Sequence, residues 1–209
     1  MMLLTFMQTS SRTFLVWLLG IYAVLFVVLA IEPIDRATWF VENLTVWIIL
    51  AVILSFYAYG VRLSKTAYAF IFVLVYLHTI GGHYTFALVP FGFVTDFFDF
   101  SRNHFDRVAH FSVGFYAFAI AEILYTRQLV KNKWLLFTYP VFVIATVAMS
   151  YEIIEWIYAA YSAPEAGAAY LGSQGDIWDA QKDMLADTLG ALFATTVFFF
   201  REKLWKLST

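Results

Sequence analysis

The sequence predicts an all-α polytopic membrane protein with six transmembrane helices, and three observations carry that prediction. Of 209 residues, 62% are hydrophobic and 13% charged, whereas soluble domains run at roughly 45–50% apolar and about 25% charged. Six apolar stretches approach the roughly 20 residues that cross a hydrocarbon core about 30 Å thick at about 1.5 Å per residue. The 23 Phe, 13 Tyr and 7 Trp suit anchoring at headgroup level. Lipid then dictates helices, because an unpaired backbone amide in hydrocarbon costs several kcal/mol. With no cysteine, disulfides, thiolate metal sites and cysteine nucleophiles are excluded.

The first span, 14–31, outlasts the about 7–15 apolar residues of a signal peptide and precedes no small-x-small cleavage site, so it is read as retained. Spans 44–59 and 66–81 follow, joined by a short loop carrying Arg62 and Lys65. The connection 82–107 holds Phe91, Phe93, Phe97, Phe98 and Phe100, interrupted by Asp96 and Asp99, a pattern expected to rest at the interface. Span 108–125 comes next. Span 134–158 is about 37 Å long at helical rise and must tilt or protrude; its Pro140 marks either a kink or the helix start. The connection 159–182, with Gly167, Gly172 and Gly175, is expected to turn back over the helix ends, before the last span, 183–200. No linker, low-complexity run or repeat divides the chain, so 1–209 reads as a single transmembrane domain.

Charge sorts by side. Arg12, Arg62, Lys65, Arg127, Lys131, Lys133, Arg201, Lys203 and Lys206 share the face of both termini, against Arg36, Arg102, Arg107 and Lys182 on the other, so both termini are expected to be cytoplasmic. Among the 15 acids only Glu122 and Glu202 lie on the basic side. Glu32, Asp35, Glu42, Asp96, Asp99, Asp106, Glu152, Glu155, Glu165, Asp176, Asp179, Asp183 and Asp187 lie on the opposite one, as do His78, His83, His104 and His110. Such a face repels polyanions, which argues against a nucleic-acid partner. Membrane lipid is the expected partner; no protein partner is indicated.

Spacing within that face puts residues on shared helix stripes. Asp106 and His110 are four apart, Glu152 and Glu155 three apart, and Asp179, Asp183 and Asp187 form a ladder of fours with Asp176 three residues earlier. Like charges in a ladder repel, so Arg102, Arg107, Lys182, a metal ion or shared protons must compensate them. Imidazole with carboxylate suits zinc, iron or manganese. In a metal reading, His83, His110, Glu155 and Asp183 are ligands. Glu152, Asp106 and Arg107 are then the catalytic candidates, with a carboxylate as general base and Arg107 holding a phosphate or oxyanion. The competing reading is a polar network that fixes helix packing. The cofactor is otherwise unassigned, a divalent metal being the one these residue types admit. His78 reads as packed, His104 as a loop residue, Asp176 and Asp179 as caps or first-turn acids, and Glu122 as snorkelling or pairing with Arg127.

Four segments, HTIGGHY at 78–84, DRVAHF at 106–111, YEIIEW at 151–156 and GSQGDIWDAQKDM at 172–184, resemble the YjdF family of bacterial inner membrane proteins, over essentially the whole chain. The resemblance implies a multi-pass protein of the bacterial inner membrane and carries no activity; Asp187 lies outside these segments. A weaker likeness to VanZ-type membrane proteins rests on acidic helix-start residues followed by Leu189, Gly190 and Ala191. Three functions remain open: a hydrolase or transferase acting on a lipid or envelope substrate, a proton- or cation-coupled transporter, and a non-catalytic membrane component.

Overall fold

The computed structural model describes residues 2–161, 167, 171 and 173–204; Glu165, Gly172 and Lys206 lie outside the described residues. Its helices are α1 (Met2–Leu29), α2 (Arg36–Ala58), α3 (Lys65–Tyr84), the short α4 (Gly92–Phe97), α5 (Phe105–Val113), α6 (Tyr116–Thr126), α7 (Lys133–Tyr161) and α8 (Asp179–Arg201). Helices α5 and α6 together make one span. Among the described residues six stretches are thus long and apolar enough to cross a membrane: Ser11–Leu29, Arg36–Ala58, Lys65–Tyr84, Phe105–Thr126, Lys133–Tyr161 and Asp179–Arg201. The described residues contain no strand.

Two helices, α2 and α3, are started by side-chain caps, and the cap opens α2 ahead of its apolar stretch. Asp35 accepts a hydrogen bond from the Thr38 amide at 2.6 Å, and its bonds from Thr38 hold the carboxyl below the usual carboxylate range. Ser64 Oγ accepts from the Ala67 amide at 3.2 Å to start α3. Helix α7 begins at Lys133 and runs on through Pro140, so the proline lies within the helix. Trp134 and Trp156, both exposed, stand about 33 Å apart along it at helical rise, the spacing of two interfacial belts.

Two helices organise the bundle. Helix α3 packs against α1, α2, α5 and α6, and α8 against α5, α6 and α7. Between them lies the core of Tyr68, Phe72, Val75, Phe118 and Phe198, with Ala117, Ala121, Ala191 and Ala194 fully buried on α6 and α8. Small residues let membrane helices approach closely. Large apolar side chains such as Val16, Val24 and Phe142 face outward on α1 and α7, as a hydrocarbon solvent allows.

At the basic end the bundle is tied by Glu122. Its carboxylate accepts from the Ser64 amide at 2.6 Å and Ser64 Oγ at 2.5 Å, and Arg201 Nη1 lies 3.4 Å away. Arg127, the partner expected for Glu122, instead donates to Gly60 O at 3.3 Å. One side chain thereby joins the start of α3, the middle of α6 and the end of α8.

Candidate functional site

The acidic end is assembled by a close crossing of α5/α6 with α8. A Cβ on Gly190 would strike Phe111 O, and one on Gly114 would strike the backbone of Gly190 and Ala191. Only hydrogens at both positions allow this approach. The span passes the crossing through tight i→i+3 bonds, Phe115 N to Ser112 O at 3.1 Å and Ala117 N to Gly114 O at 3.0 Å. Asp106, His110 and Gly114 recur every four residues along one face, and Asp183, Asp187 and Gly190, four and then three apart, share a face of α8. Docking the glycines therefore brings the ionisable residues of the next turns together.

His110 lies at the centre of this meeting. Its Nδ1 is 3.2 Å from Asp187 Oδ2, and its Nε2 is 3.6 Å from Asp106 Oδ1 and 3.8 Å from Asp183 Oδ1. Asp106, His110 and Asp183 each offer one ligand atom, and these atoms lie within 4.8 Å of one another. Ligands at about 2.0–2.2 Å from a zinc-sized ion are at most about 4.4 Å apart, so a small inward rotation closes the set. Glu152 of α7, 9% exposed, is near enough to interact with His110, Asp183, Asp106 and Asp187. Among the described residues its Oε1 has no hydrogen-bond partner, and neither does Oδ1 of Asp187, which is 1% exposed.

Above this centre the aspartates of α8 meet the arginines. Arg107 pairs with Asp183 and Asp179 and lies 3.5 Å from Asp176. Arg102 pairs with Asp179 at 2.6 Å and donates to Ser173 O at 3.0 Å. Lys182 meets Asp176 at 2.6 Å, and that hydrogen bond holds the Asp176 carboxyl below its ordinary value. Burial lowers the His104 imidazole, and the cations Arg102, Arg107 and Lys182 lower it further. Gln174 locks the two longer connections together: its side-chain Oε1 accepts from the Asn103 amide and its Nε2 donates to Asn103 O, both at 3.0 Å.

A cavity of about 180 Å³ opens beside the centre. Its polar wall is Glu42, His78, Asp106, His110, Tyr151 and Glu155; Ile49, Leu74, Phe86, Val113 and Val147 are among its apolar wall. Glu42 is 3% exposed, and its Oε2 lies 3.0 Å from His78 Nε2. The sequence reading began the second span at residue 44 and left Glu42 outside it. The Asp35 cap was the signal that places Glu42 two turns into α2.

Of the residues singled out from the sequence, Asp106, His110 and Asp183 come together, with Glu152 beside them and Glu155 on the same cavity. His83 is directed elsewhere, its Nδ1 2.8 Å from Leu29 O, where it ties α3 to α1. Arg107 is occupied by aspartates. In the 82–107 connection Phe93, Phe97, Phe98 and Phe100 are exposed around α4, in keeping with an interfacial segment.

Residues 14–203 match the family described as "Predicted membrane protein (DUF2238)". Over 167 residues, 79% of this chain and 78% of the relative, the chain is 36% identical to "Inner membrane protein YjdF" of Escherichia coli (strain K12). No solved structure matches it. The family match spans nearly the whole chain, and the identity to YjdF holds over more than three quarters of each sequence: the chain belongs to the DUF2238 family of predicted membrane proteins.

Proposed function

We propose that this multi-pass protein, set in the bacterial inner membrane with both termini cytoplasmic, is a membrane-embedded hydrolase or transferase acting on a lipid or envelope substrate at its acidic face. The observation that carries the reading is the convergence of Asp106, His110 and Asp183 ligand atoms within 4.8 Å, next to the unpartnered Oε1 of Glu152. A divalent ion held by those three would supply an acidified water, such ions lowering the pKa of bound water from about 15.7 to about 7. Glu152 would act as general base, accepting the proton of an attacking water whose oxygen bonds to the ester phosphorus or carbon. The bond to the leaving oxygen breaks, and Glu152 returns the proton to that oxygen; in transfer, an alcohol replaces the water. Asp187 orients His110 through Nδ1, a support typical of metal-ligating histidines. Arg107 holds Asp183 and Asp179 and is a positioning residue.

Transport fits less well. Glu122, the buried acid of the basic end, is occupied by Ser64 and Arg201 and offers no relay. The test is elemental analysis of protein purified in mild detergent and reloaded with zinc, manganese or magnesium, together with mass spectrometry of lipid extracts after turnover. Near-stoichiometric metal is expected, falling about 10–100-fold in affinity in Asp183→Asn and His110→Ala. Metal content below one-tenth of stoichiometry in the wild type under all three loadings sinks the reading.

A further inference from the structure

A second cavity, of about 280 Å³, lies deeper in the bundle between α2, α3 and α6. It shares one stripe of α2 with the first. Glu42, Thr45 and Ile49 line the upper cavity; Ile49, Val52, Ile53 and Phe56 line the lower one. These positions recur every three or four residues and so share a helix face. Ile49 lines both cavities, so the two adjoin at that residue and lie end to end along a groove on this face of α2. From Glu42 to Phe56 the stripe covers about 21 Å at helical rise, more than the about 15 Å of one leaflet in a bilayer core about 30 Å thick. Each cavity exceeds the roughly 150 Å³ that holds a benzene molecule.

The groove faces lipid sideways. Helix α2 has its principal packing partner in α3, and Ile48, Val52 and Phe56 on the groove margin are exposed. Its ends differ in chemistry. The lower end is apolar apart from the hydroxyls of Tyr68 and Tyr116, whereas the upper wall carries the carboxylates of Glu42, Asp106 and Glu155, and no lysine or arginine. Oε2 of Glu42 is buried, and among the described residues its one close polar neighbour is His78 Nε2 at 3.0 Å. An occupant that matches both ends has a long hydrocarbon chain and a cationic group on its polar end.

We propose that the groove along α2 binds one acyl chain of an amine-bearing phospholipid, with the ammonium toward Glu42 and Glu155 and the phosphate toward Asp106 and His110. As an assignment of the substrate it rests on the catalytic reading above; as a binding site it stands on the groove alone. Phosphate beside carboxylates needs the divalent ion of that reading, and the ammonium answers the carboxylates the ion leaves unmet.

The test offers the purified full chain equimolar phosphatidylethanolamine and phosphatidylglycerol of matched chains in mixed micelles. Lipid retained through gel filtration is counted by mass spectrometry. Phosphatidylethanolamine is expected in excess by about five-fold, the scale of a partly exposed ion pair. Ile49→Trp, which fills the junction of the two cavities, is expected to cut retention of both lipids about ten-fold. Glu42→Gln is expected to bring the two lipids toward parity with the chain still held. If Ile49→Trp fails to fold, Val52→Trp on the lipid-facing margin carries the same test. Equal retention of the two lipids by the wild type overturns the headgroup assignment, and undiminished retention in a folded groove-filling variant overturns the groove. Selective lipid retention by a chain that takes up no divalent ion overturns the catalytic reading and the phosphate placement that depends on the ion, and leaves the groove and the ammonium contact standing. A bound ion without lipid selectivity overturns this proposal alone.

Discussion

The two ends of the bundle each bury carboxylates, but with different ratios of partners to acids. At the basic end one acid, Glu122, receives two hydrogen bonds from Ser64 and lies against Arg201. At the acidic end Asp106, Glu152, Asp183 and Asp187 surround His110, and oxygens of Glu152 and Asp187 have no hydrogen-bond partner among the described residues. A buried charge whose lone pairs are answered cements packing; one left unanswered lowers stability and persists where a ligand or reaction supplies the missing partner. The contrast separates a structural network from a site on grounds of stoichiometry, not residue type.

The strongest way to break the comparison is to abolish the acidic cluster at its foundation. Gly190→Ala places a methyl group against Phe111 O, and backbone cannot yield as a flexible side chain would. A loss of about 3 kcal/mol or more is expected, seen as low yield of folded protein and a depressed melting temperature in detergent. Wild-type melting behaviour would mean that the glycine crossing does not set the site.

Opposite signs at the two ends would sharpen it. Glu122→Gln keeps one acceptor but turns an amide toward donors, and should destabilise by about 1–3 kcal/mol without changing metal uptake. Glu152→Gln removes an unanswered buried carboxylate and should be neutral or stabilising by about 1 kcal/mol while abolishing turnover. Melting curves and metal content of the two variants decide this; an equal loss of stability in both would remove the distinction.

The smallest effect lies at the rim. The hydrogen bond from Lys182 depresses the Asp176 carboxyl, so its contribution is present above the unfolded value of about 3.9 and is lost as pH falls through the lower folded value. Lys182→Met should flatten the acid limb of melting temperature against pH below about pH 4 and leave pH 7 nearly unchanged. An unaltered acid limb would show that this surface pair adds nothing.

The spans were legible because lipid leaves the backbone no alternative to helices and apolar length measures them directly. Their starts were less so. Residue 44 appeared to open the second span, although the Asp35 cap starts α2 at Arg36, and this hid Glu42. For the site, the four-residue stripes of Asp106 with His110 and of Asp183 with Asp187 were visible in one dimension, as was the common depth of His83. Depth does not fix rotation about a helix axis. His83 and His78 both end α3, yet one bonds to α1 and the other meets Glu42 across the cavity.

What the sequence by itself determined was a membrane solvent, six helices and the gathering of acids at one end, since each follows from composition and period along the chain. Which carboxylates share a centre was decided by tertiary structure alone. That depends on two glycines, Gly114 and Gly190, 76 residues apart in sequence, whose missing side chains let two backbones touch. Contact between distant backbones fixes the rotation of both helices, and rotation about the axis is what local periodicity leaves free.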